Sequence, residues 1–283
     1  MSRMKKIVIT SRSAGVGKTT LVRNLAVAAS TADLSVICLD LCADQSLRRW
    51  RNRRGSLVGP EMLGRDPAPE ALGETLQTIA ASGYQICLID TTSGEPVSQE
   101  TAIATADLVV IPVRPTEDMR AVDATAETAR RLGVPFLFVL TQAPRAAVTQ
   151  QARLELEKMG EVAPVVLLFR TVHAEAEARG LGVSETRVAK AKVEIAALWD
   201  YLRHILGRQE VNRSDDGGEK DTVAGSRGTP SGAGSRKLSV IIDRSSYLRF
   251  KLHCAGAEIS HQAALFRALT EFLDRAGAPR SED

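Results

Sequence analysis

Directly after the apolar run Ile7-Val8-Ile9 the chain reads Thr10-Ser11-Arg12-Ser13-Ala14-Gly15-Val16-Gly17-Lys18-Thr19-Thr20. A glycine-rich turn closing on Gly-Lys-Thr has the parts of a phosphate-binding loop: glycines let successive amides turn inward, while the lysine and hydroxyl serve phosphate and Mg²⁺. The usual pattern is Gly, four residues, then Gly-Lys-Ser/Thr, and its first glycine is Arg12 here. The context favours the loop over a plain strand-to-helix turn. A β-like run enters it, and Leu21, Val22, Leu25, Ala28 and Ala29 leave it at helical spacing. A helix N-terminus aimed at the turn is the expected anion site.

Similar apolar runs recur at 34–39, 86–89, 108–113, 136–140 and 165–169, separated by Ala-, Glu-, Arg- and Leu-rich segments that suit helices. Continuous apolar strands alternating with helices predict an α/β fold, a P-loop NTPase with a mostly parallel sheet covered by helices on both faces. A helix over 185–206 closes this region, with Val188, Val193, Ile195, Leu198, Trp199, Leu202 and Ile205 as its core stripe. Residues 1–207 are then one domain. Residues 208–236 turn to Gly, Ser, Asp, Arg and Pro and read as a flexible linker with a reach of roughly 30 Å. Residues 237–276 form a separate small domain that begins like a strand at 237–242 and continues as two short helices.

With 283 residues, 44% of them hydrophobic and 25% charged, the chain can bury one large core and add a small second domain. The net charge of +3 is too small to argue for nucleic acid by itself. Arg48, Arg49, Arg51, Arg53 and Arg54 crowd around Trp50, which reads as a solvated face before it reads as a phosphate site. Cys38, Cys42, Cys87 and Cys254 show no C-x-x-C spacing and fit reduced thiols. Neither a signal peptide nor a membrane-length apolar run is visible, so a cytoplasmic, nucleoid- or plasmid-associated protein without membrane contact is expected.

Lys18 is the residue expected to neutralise phosphate charge, and Thr19 to ligate Mg²⁺ through its hydroxyl. Asp90 ends the run 86–89, where a buried parallel strand delivers a carboxylate to the crevice, and it is assigned to the Mg²⁺ side. Asp40 ends the run 34–39 in the same way. Both aspartates have loop capping as the competing role.

Set together, the loop at 15–20, Leu39-Asp40 followed by Ser46-Leu47 and Trp50, Leu88-Ile89-Asp90, and Asp107 through Pro115 resemble the ParA/MinD superfamily of deviant Walker ATPases, most closely the short ParF-type plasmid-partition ATPases. The resemblance covers residues 5–206. It implies ATP sandwiched between two monomers, held by Ala14, Gly15, Val16, Gly17, Lys18, Thr19 and Thr20, with Pro112 and Pro115 beside the base. It also implies catalytic roles for Lys18, Asp40 and Asp90. Two positions depart from the family pattern: Ser13 stands where the signature lysine would be, and Cys42 where the water-orienting carboxylate would be. Asp44 replaces that carboxylate only if its loop is re-routed, and Arg12 is the nearest cation to the missing lysine. ATP binding needs only the phosphate cradle, whereas turnover needs a positioned water and charge stabilisation, so hydrolysis is left open.

The tail, residues 237–273, resembles a ribbon-helix-helix DNA-binding domain, which pairs strands between two copies and lays the ribbon in the major groove. Period-2 alternation turns Leu238, Val240 and Ile242 inward and Lys237, Ser239 and Ile241 toward DNA. A strand-helix-helix module used for dimerisation alone is the competing reading. Joined in one chain, the two parts imply a DNA-segregation protein with ATP and Mg²⁺ as cofactors, homodimeric through both domains, working with DNA and with separate partition or transfer proteins. A nucleotide-responsive DNA-binding regulator with little hydrolysis, or an accessory ATPase of conjugative transfer, stands as the alternative.

Overall fold

The computed structural model describes residues 3–215. Their strands are β1 (Lys5–Ile9), β2 (Val36–Leu41), β3 (Glu61–Met62), β4 (Ile86–Thr91), β5 (Leu108–Val113) and β6 (Phe136–Leu140). The helices are α1 (Lys18–Thr31), α2 (Ser46–Arg54), α3 (Leu72–Ala81), α4 (Pro96–Thr105), α5 (Met119–Arg131), α6 (Ala147–Met159), α7 (Val172–Ala178) and α8 (Ala189–Asp215). All strand pairs are parallel, in the order β3-β2-β4-β1-β5-β6.

The pleat explains why the strand runs are apolar throughout: alternate residues face opposite sides, and both sides are covered. Ile7 and Ile9 pack with Leu21, Leu25, Leu198 and Leu202 of α1 and α8. Val8, Ile37 and Ile89 face the other way, onto Leu72, Leu76 and Ile79 of α3. Val109, Ile111 and Phe138 meet Val122, Ala126 and Leu156 of α5 and α6. Every residue from Leu21 to Ala29 is buried, as befits a helix held between the sheet and α8. No described helix is long and apolar enough to cross a membrane.

Three local expectations change. The segment 165–169 forms no named strand: Leu168 makes a single parallel bridge with Ala143, and Phe169 is 70% exposed. The Ala163 amide bonds the Phe138 carbonyl but the Leu167 amide, where a regular register would use Val165, bonds the Leu140 carbonyl, so the segment slips by two residues against β6 and forms no continuous ladder. In its place the sheet gains the two-residue edge strand β3. The closing helix starts at Ala189, continues past 207 to Asp215 and leaves Val193 exposed, while Ile195, Leu198, Trp199, Leu202 and Ile205 are buried as the stripe requires. The expected linker therefore begins as helix, and its remainder, together with the tail at 237–276, lies outside the described residues.

The arginine run is also not simply a solvated face. Arg54 is buried, its guanidinium paired with both carboxylate oxygens of Glu185 at 2.7 Å and donating to the carbonyls of Gly180 and Val58 at 3.2 and 3.0 Å. It also lies over the buried Trp50 ring, 5.7 Å from the centroid. Arg48 bonds the carbonyls of Leu63 and Gly64 at 3.0 and 2.9 Å and pairs with Asp66. These bonds tie the 59–66 loop and the 180–185 segment to α2.

Gly180 has φ +68°, and a Cβ there would stand 2.4 Å from the Arg54 amide nitrogen. Gly133 has φ +65° with open space around it. Gly133→Ala should cost about 1 kcal/mol from backbone strain alone, whereas Gly180→Ala should cost roughly 3 kcal/mol or more because Arg54 must shift; thermal denaturation of the two variants measures the difference. Burial pushes the Glu185 carboxyl up, but the Arg54 hydrogen bonds and the Gly182 amide outweigh it, and its pKa is lowered. A carboxylate whose folded pKa is depressed contributes stability above its unfolded pKa of about 4 and loses it as pH falls through the folded value. Wild type should therefore lose this contribution in the acid range below pH ~4, and Glu185→Gln should lose less over the same interval, as read from stability against pH.

Candidate nucleotide site

The loop between β1 and α1 is fixed by what happens to its carbonyls. The Ser11 carbonyl accepts from Gln99 Nε2 at 3.1 Å, and the Ser13 carbonyl from Ser93 Oγ at 3.1 Å and Lys18 Nζ at 3.2 Å. The Gly15 carbonyl accepts from Gln142 Nε2 at 2.6 Å, and the Val16 carbonyl from Thr141 Oγ1 at 2.8 Å. These donors come from the ends of β4 and β6 and from α4, so the loop is clasped from two sides. Its amides are left over: those of Ala14, Gly15, Val16 and Gly17 donate to no group among the described residues. Gly15 and Gly17 have φ of 69° and 91°, a left-handed backbone that suits glycine. No side chain caps α1 and no acidic residue occupies its first turn, so free amides and the helix dipole converge on the same point. That arrangement binds an anion through backbone donors alone.

Lys18 and Asp90 complete the polar lining. The Lys18 ammonium also contacts the Ser93 hydroxyl, and burial lowers its pKa despite nearby Asp90. Asp90 is fully buried near the end of β4, and neither carboxylate oxygen has a hydrogen-bond partner among the described residues. Burial pushes its pKa up to about 7, against the opposing influence of the Thr19 hydroxyl and the Lys18 charge. A buried, orphaned carboxylate beside a threonine hydroxyl and a phosphate-type loop fits a Mg²⁺ that takes few protein oxygens and keeps its waters.

Asp40 is engaged differently. Its Oδ1 accepts the Cys42 amide at 3.1 Å and its Oδ2 the Arg48 amide at 3.0 Å, so the carboxylate shapes the turn into α2. Burial raises its pKa while these two amides oppose the shift. Asp44 is exposed and accepts the Ser46 amide at 3.3 Å. Cys42 is partly buried, and burial beside Asp90 pushes its thiol pKa up, so it holds its proton at neutral pH. The Arg12 guanidinium is exposed and makes no ion pair among the described residues.

A cavity of about 280 Å³ opens beside the loop, lined among others by Gly17, Thr20, Asn24, Gln142, Phe169 and Arg170. Its size and mixed lining fit a nucleoside base and sugar. Pro112 is paired with Val139 inside the sheet, Pro115 is buried after it, and neither lines this cavity. Arg114, between them, does reach the loop, with Nη1 3.9 Å from where a Cβ on Gly15 would stand. The structure thus gathers Ala14 through Thr20 with Asp90 and brings Asp40 to the same sheet edge. Sequence reasoning missed Ser93, Gln99, Thr141 and Gln142; the only available signal was that polar residues directly follow β4 and β6, where parallel strands open onto the crevice. Lys237, Ser239 and Ile241 lie outside the described residues.

A family model described as VirC1 protein matches residues 4–190. The chain belongs to the VirC1 family. It is also similar to Protein IncC of Escherichia coli, 27% identical over 159 residues, a match that covers 52% of this chain and 44% of IncC. The match therefore spans less than half the length of that relative. Among solved structures, the septum site-determining protein MinD of Pyrococcus horikoshii, complexed with Mg-ADP, superposes with a TM-score of 0.60 at 18% identity, covering 72% of this chain and 98% of MinD. McdA of Cyanothece in complex with ATP gives 0.57 at 18% identity, covering 73% and 98%. At these identities the two superpositions establish the fold. The chain is thus a VirC1-family protein with the fold of MinD and McdA.

The two backbone bonds to Asp40 make a direct test of its structural role. Asp40→Ala should destabilise the nucleotide-free protein by about 1–3 kcal/mol, because the Cys42 and Arg48 amides lose their acceptors; thermal denaturation without nucleotide measures it.

Proposed function

We propose that this VirC1-family chain is an ATP-binding DNA-segregation protein of the ParF type, in which ATP and Mg²⁺ bring two copies together and a C-terminal ribbon-helix-helix domain binds a DNA site. The observation that carries the nucleotide part is the clasped loop: its carbonyls are spent on protein donors and its amides are free beside an orphaned Asp90. In this reading the amides of 14–20 hold phosphate oxygens, Lys18 neutralises phosphate charge, and Thr19 with Asp90 holds Mg²⁺. The base enters the cavity between Thr20, Gln142 and Phe169. The Mg²⁺, when bound, withdraws charge from the phosphates.

The DNA part rests on the sequence of residues 237–276, where Lys237, Ser239 and Ile241 alternate with an apolar face. Tethering a DNA reader to a nucleotide-switched dimer raises the local concentration of one at the other. The reading expects Lys18→Ala to lose at least about tenfold in ATP affinity, the scale of a charge-assisted phosphate contact, and to lose ATP-induced dimerisation in sedimentation. Lys237→Ala with Ser239→Ala should weaken DNA binding in gel-shift assays while leaving ATP affinity intact. Wild-type protein that stays monomeric with ATP and Mg²⁺ contradicts the proposed dimer.

One observation favours a second reading, a nucleotide-responsive DNA-binding regulator with little hydrolysis. A thiol that keeps its proton stands at 42, where the resemblance expects the water-orienting carboxylate, and the Asp40 carboxylate beside it holds the turn amides of Cys42 and Arg48. ATP turnover with and without DNA separates the two, since a segregation ATPase accelerates on DNA and a regulator does not.

A further inference from the structure

Asp40, Cys42 and Asp90 offer one ligand atom each, and these three atoms all lie within 4.8 Å of one another. The sheet register produces this grouping: Asp40 and Asp90 are partners across β2 and β4, and Cys42 follows Asp40 by two positions, held back by the hydrogen bond its backbone N–H donates to Asp40 Oδ1. Asp90 is fully buried with both oxygens unpartnered, and no cationic side chain forms an ion pair with Asp40 or Asp90 among the described residues. Asp40 keeps acceptor capacity, because each of its oxygens accepts only one amide and carries two lone pairs.

We propose that Asp40, Cys42 and Asp90 form a site for a borderline-soft divalent cation, Zn²⁺ in kind, with three protein ligands and an open fourth position beside Lys18. Zinc bound at about 2.0–2.3 Å places tetrahedral donors roughly 3.3–3.5 Å apart, so donors that lie within 4.8 Å of one another close in by at most about 1.5 Å. Mg²⁺ favours an all-oxygen octahedron, and the sulfur excludes it from this particular triad. On binding, the Cys42 S–H proton, and the Asp90 carboxyl proton where it is held, leave to solvent as the sulfur–metal and oxygen–metal bonds form. The two carboxylates and the thiolate then carry three negative charges, which the dication and the Lys18 ammonium together balance. The site shares Asp90 with the nucleotide reading above but stands without it.

The test uses the full-length, metal-stripped protein titrated with CdCl₂, whose thiolate complexes absorb in the ultraviolet. A thiolate-to-metal band should saturate at one equivalent, be displaced by ZnCl₂ and resist a large excess of MgCl₂. Cys42→Ser should abolish the band and weaken Zn²⁺ binding by more than about 100-fold, beyond what loss of an outer-shell partner costs. Cys42→Asp, which restores a carboxylate, should likewise lack the band, whereas Cys254→Ser should keep it. Circular dichroism checks that the variants are folded. Absence of a saturable band in wild type, or its persistence in folded Cys42→Ser, overturns the site. Lys18→Ala should keep the band while losing ATP, so ATP binding without a band refutes the zinc-type site alone, and a band without ATP binding refutes the nucleotide reading alone.

Discussion

Everything near the candidate site depends on side chains from α4 and from the ends of β4 and β6 that occupy the carbonyls of Ser11, Ser13, Gly15 and Val16. A free loop of this composition would fluctuate between orientations, its carbonyls competing with its amides for whatever approaches. Gln99, Ser93, Gln142 and Thr141 remove that competition. Four separate side chains on β4, α4 and β6 ends agree on one backbone geometry, so the cost of ordering it is met during folding and not on ligand binding. The order β4-β1-β5-β6 matters for the same reason, since it sets the ends of β4 and β6 on opposite flanks of the loop.

A second set of constraints holds the outer edge. Arg54, buried against Trp50 and closed by Glu185, fastens α2 to the segment before α8, while Arg48 fastens the loop before α3 to the start of α2. Asp40 works within this frame by accepting the amides of Cys42 and Arg48. One carboxylate therefore sets the path of the 42–48 turn and, with it, the position of Cys42 beside Asp90. The same register that makes a P-loop sheet edge puts two aspartates side by side, and one of them, Asp90, is buried with no hydrogen-bond partner among the described residues. Such a group is costly in the folded chain and is retained where a cation or proton compensates for it.

Much of the architecture is legible from residue type and spacing. Five of the six apolar runs become strands because each is bounded by turn residues and apolar on both faces, a pattern that only a doubly covered parallel sheet satisfies. The sixth, 165–169, has the same composition, and it departs because its register against β6 slips by two residues between Ala163 and Leu167. Composition does not carry that information. The arginine run shows the same limit: Arg54 and its exposed neighbour Arg53 are indistinguishable as letters, yet one closes a buried pair with Glu185, 131 positions away. Val193 falls at the right helical spacing for the core and still faces outward, because none of the described residues covers the α8 surface it occupies.

By itself the sequence determined that a glycine loop with a lysine and a threonine sits between a buried strand and a helix, and that two aspartates each end an apolar strand run. These follow from local chemistry: backbone freedom at glycine, helix spacing, and apolar runs that must be covered. Only the tertiary structure decided that four loop carbonyls are occupied while the amides of 14–17 donate to no group among the described residues, that Asp40 holds turn amides while Asp90 has no hydrogen-bond partner among those residues, and that Cys42 stands within reach of both. Each of those outcomes is a pairing between residues distant in the chain. Strand order and register bring such pairs together, and no single stretch of residues encodes them.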